Sequence, residues 1–247
     1  MFFAKCRTAA VLLSSFILLG CASHDAVSVA ATPTATYAAR NMTTDAIDTW
    51  LKQADKGNAQ AQFELAWAYD IGQTVVEDKQ QAAFWYYKAA SQGHANAQFN
   101  LGVLYATGLI DATRNYTAAV ELFQNAAEQN YPAAQYQLAT MYQDGLGVER
   151  SDKMARQWYE RAAGLGNMKA MIELGDMTAG SEPETSFAWY QQAAELGSQD
   201  AQFFIAGVYR QQGTCDKAES WLRRAALQGH RQARQQLDAL VCNAKLG

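Results

Sequence analysis

The sequence predicts an all-α solenoid, a stack of antiparallel helix pairs. Three observations carry this. Five segments, AQFELAWAY (61–69), AQFNLGVLY (97–105), AQYQLATMY (134–142), AMIELGDMT (170–178) and AQFFIAGVY (201–209), align without gaps, starting 36, 37, 36 and 31 residues apart. Each is followed by a second block: FWYYKAASQG (84–93), ELFQNAAEQN (121–130), QWYERAAGLG (157–166), AWYQQAAELG (188–197) and SWLRRAALQG (220–229). The composition, 49% apolar and 18% charged with only three prolines among 247 residues, suits a globular helical chain rather than a disordered or loop-rich one. A fixed period of this length is the signature of stacked repeats.

From the N-terminus, Lys5 and Arg7 precede a 13-residue apolar run, TAAVLLSSFILLG (8–20). A spanning helix needs about 20 residues, so the run reads as a signal peptide. It ends Leu18-Leu19-Gly20-Cys21, which resembles the lipobox of bacterial lipoproteins. That resemblance implies lipidation at the Cys21 thiol and cleavage just before it. Ala22, where an aspartate usually signals inner-membrane retention in that family, implies an outer-membrane lipoprotein, facing the periplasm. Losing residues 1–20 removes Lys5, Arg7 and no acid, so the net charge moves from −4 to −6. Such a balance argues against a nucleic-acid binder. Residues 21–42 are rich in Ala, Thr, Ser and Val and read as a flexible tether. The solenoid is expected over 43–247.

Residues 45–57, DAIDTWLKQADKG, read as an unpaired second helix, with Thr43, Thr44 or Asp45 as its cap. In the first full repeat, Ala61, Leu65, Ala66 and Tyr69 share one helix face, and so do Ala82, Trp85, Tyr86, Ala89 and Ala90. Small residues permit close helix approach and the aromatic side chains fill the remaining volume. Gly93, Gly166, Gly197 and Gly229, with Asn130 in repeat two, are the expected helix stops. Asp78 and Asp152 read as caps of second helices. Repeat two lacks the Gly-x-Gly-Val turn of repeat three (Gly145, Gly147, Val148), and repeats four and five are shorter between their helices. Ala233 and Leu237 begin a terminal half-repeat near residue 233.

The pattern AxxxLGxxY…GxGV…DxxxAxxWYxxAAxxG resembles the Sel1-like repeat, a relative of the tetratricopeptide repeat. The third copy matches best, through Gly145, Gly147, Val148, Asp152, Trp158 and Tyr159. The resemblance covers about 61–243 and implies a right-handed α-solenoid of about five full repeats with terminal half-repeats.

Little in the chain points to catalysis. No Ser-x-x-Lys or Gly-x-Ser-x-Gly nucleophile and no phosphate loop is present. His94 and His230 follow Gly93 and Gly229 and read as solvated turn residues, too few for a metal site. No cofactor and no enzyme activity are expected. Cys215 and Cys242 lie at similar distances on either side of Gly229. Facing helices in an oxidising compartment would pair them as a disulfide. The Trp85, Trp158, Trp189 and Trp221 column, with Leu122 in repeat two, reads as core.

A solenoid offers a concave face lined by the first helix of each pair. Motif positions 4, 7 and 11 form a stripe there: Glu64, Trp67 and Ile71; Asn100, Val103 and Thr107; Gln137, Thr140 and Asp144; Glu173, Asp176 and Gly180; Phe204, Gly207 and Gln211. The stripe varies in chemistry while the core columns do not, as expected of a recognition surface, with Trp67 and Phe204 as natural anchors. Residues 203–247 hold seven Lys/Arg against three Asp/Glu, with a basic patch of Arg210, Arg223, Arg224, Arg231 and Arg234. The leading expectation is a membrane-anchored envelope scaffold that binds a protein partner. A binder of peptidoglycan or exported polysaccharide is the second reading, and a weak hydrolase of cell-wall amides or β-lactams the third.

Overall fold

A computed structural model describes residues 43–238 as twelve α-helices, with no strand among the described residues. They are α1 (Thr44–Asp55), α2 (Ala59–Ile71), α3 (Lys79–Ala90), α4 (Ala95–Thr107), α5 (Tyr116–Glu128), α6 (Pro132–Asp144) and α7 (Asp152–Gly164). Then come α8 (Met168–Thr178), α9 (Pro183–Glu195), α10 (Gln199–Gln211), α11 (Cys215–Leu227) and α12 (Arg231–Asp238). Residues 1–42 and 239–247 lie outside the described residues. The signal, the tether, Cys21 and Cys242 fall there, and so does the proposed disulfide. Cys215 itself is half-buried as the first residue of α11.

The helices start and stop for reasons visible in the sequence. First helices are capped by the residue just after the expected stop. Asn58, His94, Asn167 and Ser198 each accept from the backbone N–H three residues on, and His230 accepts from Ala233 N–H through Nδ1. Pro132 takes over at α6, where Tyr131 makes no capping bond. The two histidines are therefore not solvated turn residues. Each is half-buried, with its ring stacked on a phenylalanine: His94 on Phe63 at 4.8 Å and His230 on Phe203 at 4.5 Å. Thr43 caps α1 and Asp78 caps α3, but Ser151 rather than Asp152 caps α7. The stops Gly93, Gly166, Gly197, Gly229 and Asn130 all have positive φ.

The described chain divides into two compact units, and the division falls between Leu165 and Gly166, where the full-length repeats end and the shortened ones begin. In the first, α2–α3, α4–α5 and α6–α7 are the closely packed pairs, and α1, α3 and α5 each pack on the following first helix. In the second, α8–α9 and α10–α11 pair, with α9 against α10 and α11 against α12. The alanine columns (Ala61, Ala97, Ala134, Ala170, Ala201 and Ala89, Ala126, Ala162, Ala193, Ala225) are buried in both units. Fully buried Tyr86, Phe123, Tyr159 and Leu222 fill the space that these small residues leave. Trp85 and Trp158 belong to the core, whereas Trp189 and Trp221 are only half-buried.

A polar ladder runs through this apolar stack. The fourth residue of the first helix is a buried glutamine in four repeats: Gln62, Gln98, Gln135 and Gln202. Each donates its Nε2 to a carbonyl in the last turn of the preceding second helix: Ala54, Ala90, Ala127 and Ala194, at 3.0 to 3.2 Å. The acceptor side of the same amide is filled from the other end of the repeat. Gln92 donates to Gln62 Oε1, Gln129 to Gln98 Oε1 and Gln228 to Gln202 Oε1, at 2.7 to 2.8 Å. Repeat three has Leu165 at that place, and Gln135 Oε1 is buried without a hydrogen bond. The ladder joins neighbouring repeats through backbone groups that a helix C-terminus leaves unsatisfied.

Candidate protein-interaction surface

The tyrosine column sets the geometry of the first-helix stripe. Its rings lie in the core, and their hydroxyls reach first-helix polar groups. Tyr86 Oη donates to Asp70 Oδ2 at 3.1 Å and accepts from Asn100 Nδ2 at 3.0 Å. Tyr159 Oη donates to Gln143 Oε1 at 2.6 Å and meets Thr140 Oγ1 at 3.1 Å. Tyr190 Oη donates to Asp176 Oδ1 at 2.5 Å. Burial raises the Tyr86 and Tyr190 phenols above their usual range, and the carboxylates of Asp70 and Asp176 add to it. Both phenols stay protonated and serve as fixed donors. Asp176 is exposed as a residue, yet desolvation on its Tyr190 side raises its carboxyl against the opposing hydrogen bond.

This arrangement consumes much of the expected stripe. Glu64, Trp67 and Gln137 are buried, at 2%, 5% and 5% exposure. They lie inside the first unit rather than on an accessible face. Trp67, expected as an anchor, is core: it packs with Leu65, Trp85 and Leu101 in one buried cluster. In repeat one the position turns into the same core as Trp85 and Leu101, so a large side chain there is enclosed. Asn100 and Thr140 are half-buried and bonded to tyrosines. Glu173 is half-buried, and Ile71, Asp144, Gly180 and Gln211 are exposed at position 11.

In repeat five the same stripe opens. Phe204, Gly207 and Gln211 line a cavity of about 250 Å³ together with Ile172, Tyr190, Phe203 and Val208. Three rings line it: Tyr190 and Phe204, stacked at 3.8 Å, and Phe203, which rests on His230 at 4.5 Å. Gly175 allows the first pair: a Cβ there would lie 2.7 Å from the Tyr190 ring. Asp200, Arg210 and Gln236 supply the polar rim. Asp200 faces His230 Nε2 at 3.5 Å, and Arg210 Nη1 donates to Gln236 Oε1 at 3.2 Å. Phe204 and Gly207, in the first-helix stripe, were the signals that pointed here, and the cavity itself was not legible without the packing.

The basic patch is not one cluster of free cations. Arg223 pairs with Glu219, and Arg224 lies over Trp221 at 4.5 Å in the last turn of α11. Arg231 and Arg234 are exposed on α12, and Arg210 belongs to the cavity. Among the described residues, no group of three His, Cys, Asp or Glu side chains is placed to hold a metal ion, and no helix is long and apolar enough to cross a membrane.

Helix pairs of nearly constant length, joined by the same buried contacts from one pair to the next, define an α/α repeat protein. The Sel1 repeat matches five times, over residues 59–94, 95–131, 132–167, 169–198 and 199–230. The chain belongs to the Sel1-repeat family. A Sel1 repeat protein from Oxalobacter formigenes is similar in structure, at 30% identity and a TM-score of 0.65, over 80% of this chain and 88% of that one. Among curated relatives, an ERAD-associated E3 ubiquitin-protein ligase component of Arabidopsis thaliana, HRD3B, is 34% identical over 42% of this chain and 16% of its own length. Chitin synthase regulatory factor 2 of Schizosaccharomyces pombe is 28% identical over 72% of this chain and 38% of its own length. The chain thus spans well under half of these curated relatives.

Proposed function

We propose that this protein is a membrane-anchored adaptor of a bacterial cell envelope. It binds a protein partner through the first-helix surface of its repeats and has no catalytic activity of its own. The observation that carries this reading is the contrast within one motif. The second helices and the glutamine ladder are spent on stacking, while the first-helix stripe of repeat five stays open as an aromatic-walled cavity. Relatives described as a ligase component and a synthase regulatory factor support a role exercised through other proteins. The basic, apolar and Leu-Leu-Gly-Cys sequence at residues 5–21 supports attachment by a lipid at Cys21.

The test is capture of envelope proteins, solubilised in mild detergent, on the full chain, read by mass spectrometry beside a Phe204→Ala variant. Phe204 is the useful change because it lines the cavity, whereas Trp67→Ala would open a hole in the core. A discrete protein lost with Phe204→Ala is the expected result. Retention of the chain on purified peptidoglycan, with no protein captured, would replace the adaptor by a wall binder.

A further inference from the structure

We infer that the repeat-five cavity is a socket for one large apolar side chain, preferably aromatic, on an acidic segment of a protein partner. This rests on the adaptor reading and names the chemistry of the partner. The argument begins with the repeat register. Motif position 7 is Trp67 in repeat one, Val103 in repeat two, Thr140 in repeat three, Asp176 in repeat four and Gly207 in repeat five. In repeat one the chain fills that position with its own indole, which is 5% exposed. In repeat five it supplies no side chain. A Cβ built on Gly207 would meet nothing within 4 Å, so no neighbour has collapsed into the space. Alanine is the better helix former and would fit there, so neither helix propensity nor crowding accounts for the glycine.

The walls suit an apolar group, because Ile172, Tyr190, Phe203, Phe204 and Val208 line them. The Tyr190–Phe204 and Phe203–His230 stacks have interplanar angles of 16° and 23°. Tyr190 is anchored by Asp176 and His230 by its capping bond to Ala233 N–H, so the rings are positioned before any ligand arrives.

The rim supplies the charge preference. Its carboxylate, Asp200, already faces His230. Its guanidinium, Arg210, is exposed and holds a neutral amide, Gln236, through Nη1 alone among the described residues. An arginine presents several donors in a fork suited to a carboxylate, so the open valence at the rim is for an anion. Arg231 and Arg234 on the adjacent α12 add positive potential, which favours approach of an acidic segment. An aspartate or glutamate side chain close to the aromatic residue completes the match.

Short random peptides displayed on phage are panned on the full chain, with three variants alongside: Gly207→Trp and Gly207→Leu to fill the socket, and Arg210→Glu to reverse the rim. Thermal unfolding followed by circular dichroism establishes that each variant keeps its fold. The expected selection is of peptides with an aromatic residue near Asp or Glu. Both Gly207 variants should weaken them by about tenfold or more, as loss of a central anchor does. Arg210→Glu should shift the selection towards Lys or Arg beside the aromatic residue. Selected peptides that bind the Gly207 variants equally well overturn the socket and leave the adaptor reading standing, as does a failure to select any peptide. Selection of aromatic peptides without acid overturns the charge assignment. A full-length dimer that Gly207→Trp converts to a monomer would make a second copy the occupant and sink the peptide assignment.

Discussion

Leu165 is the residue at which the polar ladder breaks. Gln129 and Leu165 occupy equivalent places after their helices, with similar backbone angles (φ −84° and −98°). The exposed Leu165 therefore has the backbone from which a glutamine reaches the buried Oε1 of Gln135. Leu165→Gln is expected to raise stability by about 0.5–1.5 kcal/mol, the net worth of one hydrogen bond, in urea unfolding of the full chain. No gain in the unfolding midpoint would mean that Gln135 is already satisfied in solution. His94 offers a second test. Burial lowers its pKa below the ordinary 6.5. Its Nδ1 accepts from Ala97 N–H and Nε2 donates to Gln60, so the neutral ring is the form that caps α4. A base with a depressed folded pKa contributes its full stability above the unfolded value and loses it as pH falls through the folded value. Stability should therefore fall as pH drops below about 6.5. His94→Asn keeps a capping side chain, as Asn58 and Asn167 do, and should flatten that slope between pH 7 and 5. An unchanged slope in thermal unfolding would assign the effect elsewhere.

Among elements, the turns inside the helix pairs decide where second helices begin. Gly147 lies in the left-handed region at φ 72°, and a Cβ there would sit 2.4 Å from the Tyr116 carbonyl carbon at the start of α5. The turn of repeat three is thus wedged against repeat two. Gly147→Ala should cost about 2–4 kcal/mol, combining the left-handed penalty with the overlap, and should lower the unfolding midpoint of the full chain. A change below about 0.5 kcal/mol would show that the turn rearranges freely. In repeat four the compensation is chemical. Thr178 replaces the usual tyrosine, is buried, and bonds back to the Leu174 carbonyl at 2.7 Å. Ser186 takes an alanine position and bonds the Gly175 carbonyl at 2.7 Å. A back-bonded hydroxyl thus stands where the other repeats carry a tyrosine ring.

For the molecule as a whole, function depends on attachment and on what remains exposed after stacking. Cys21→Ser should move the protein from the membrane to the soluble fraction when it is expressed in a Gram-negative cell, because the proposed anchor is a lipid on that thiol. Membrane retention of the variant after a high-salt wash would require another anchor. The division at residue 165 separates the first helices that end on a left-handed glycine (Gly72, Gly108 and Gly145) from those that end on Ala179 and Gln212.

The sequence by itself determined the helix pairs and their stops, and the caps only in part: Thr43 and Asp78 cap as read, whereas Ser151 takes the place of Asp152, and His94 and His230 cap where solvated turn residues were expected. Capping and αL stops are local chemistry, acting within four residues, and the alanine and aromatic columns report the period directly. The Sel1 repeat and the first-helix stripe were readable for the same reason. What lies on the surface was not. Trp67 and Phe204 look equivalent in sequence, at neighbouring positions of the same stripe, yet one is core and the other lines a cavity. Likewise, His94 and His230 look like turn residues until Phe63 and Phe203 are found beneath them. Burial depends on the side chains that neighbouring helices bring to the same space, and those partners lie beyond local reach: Tyr190 is 14 residues from Phe204, and His94 is 31 from Phe63. Only the tertiary packing shows that repeat one fills its seventh position and repeat five leaves it open.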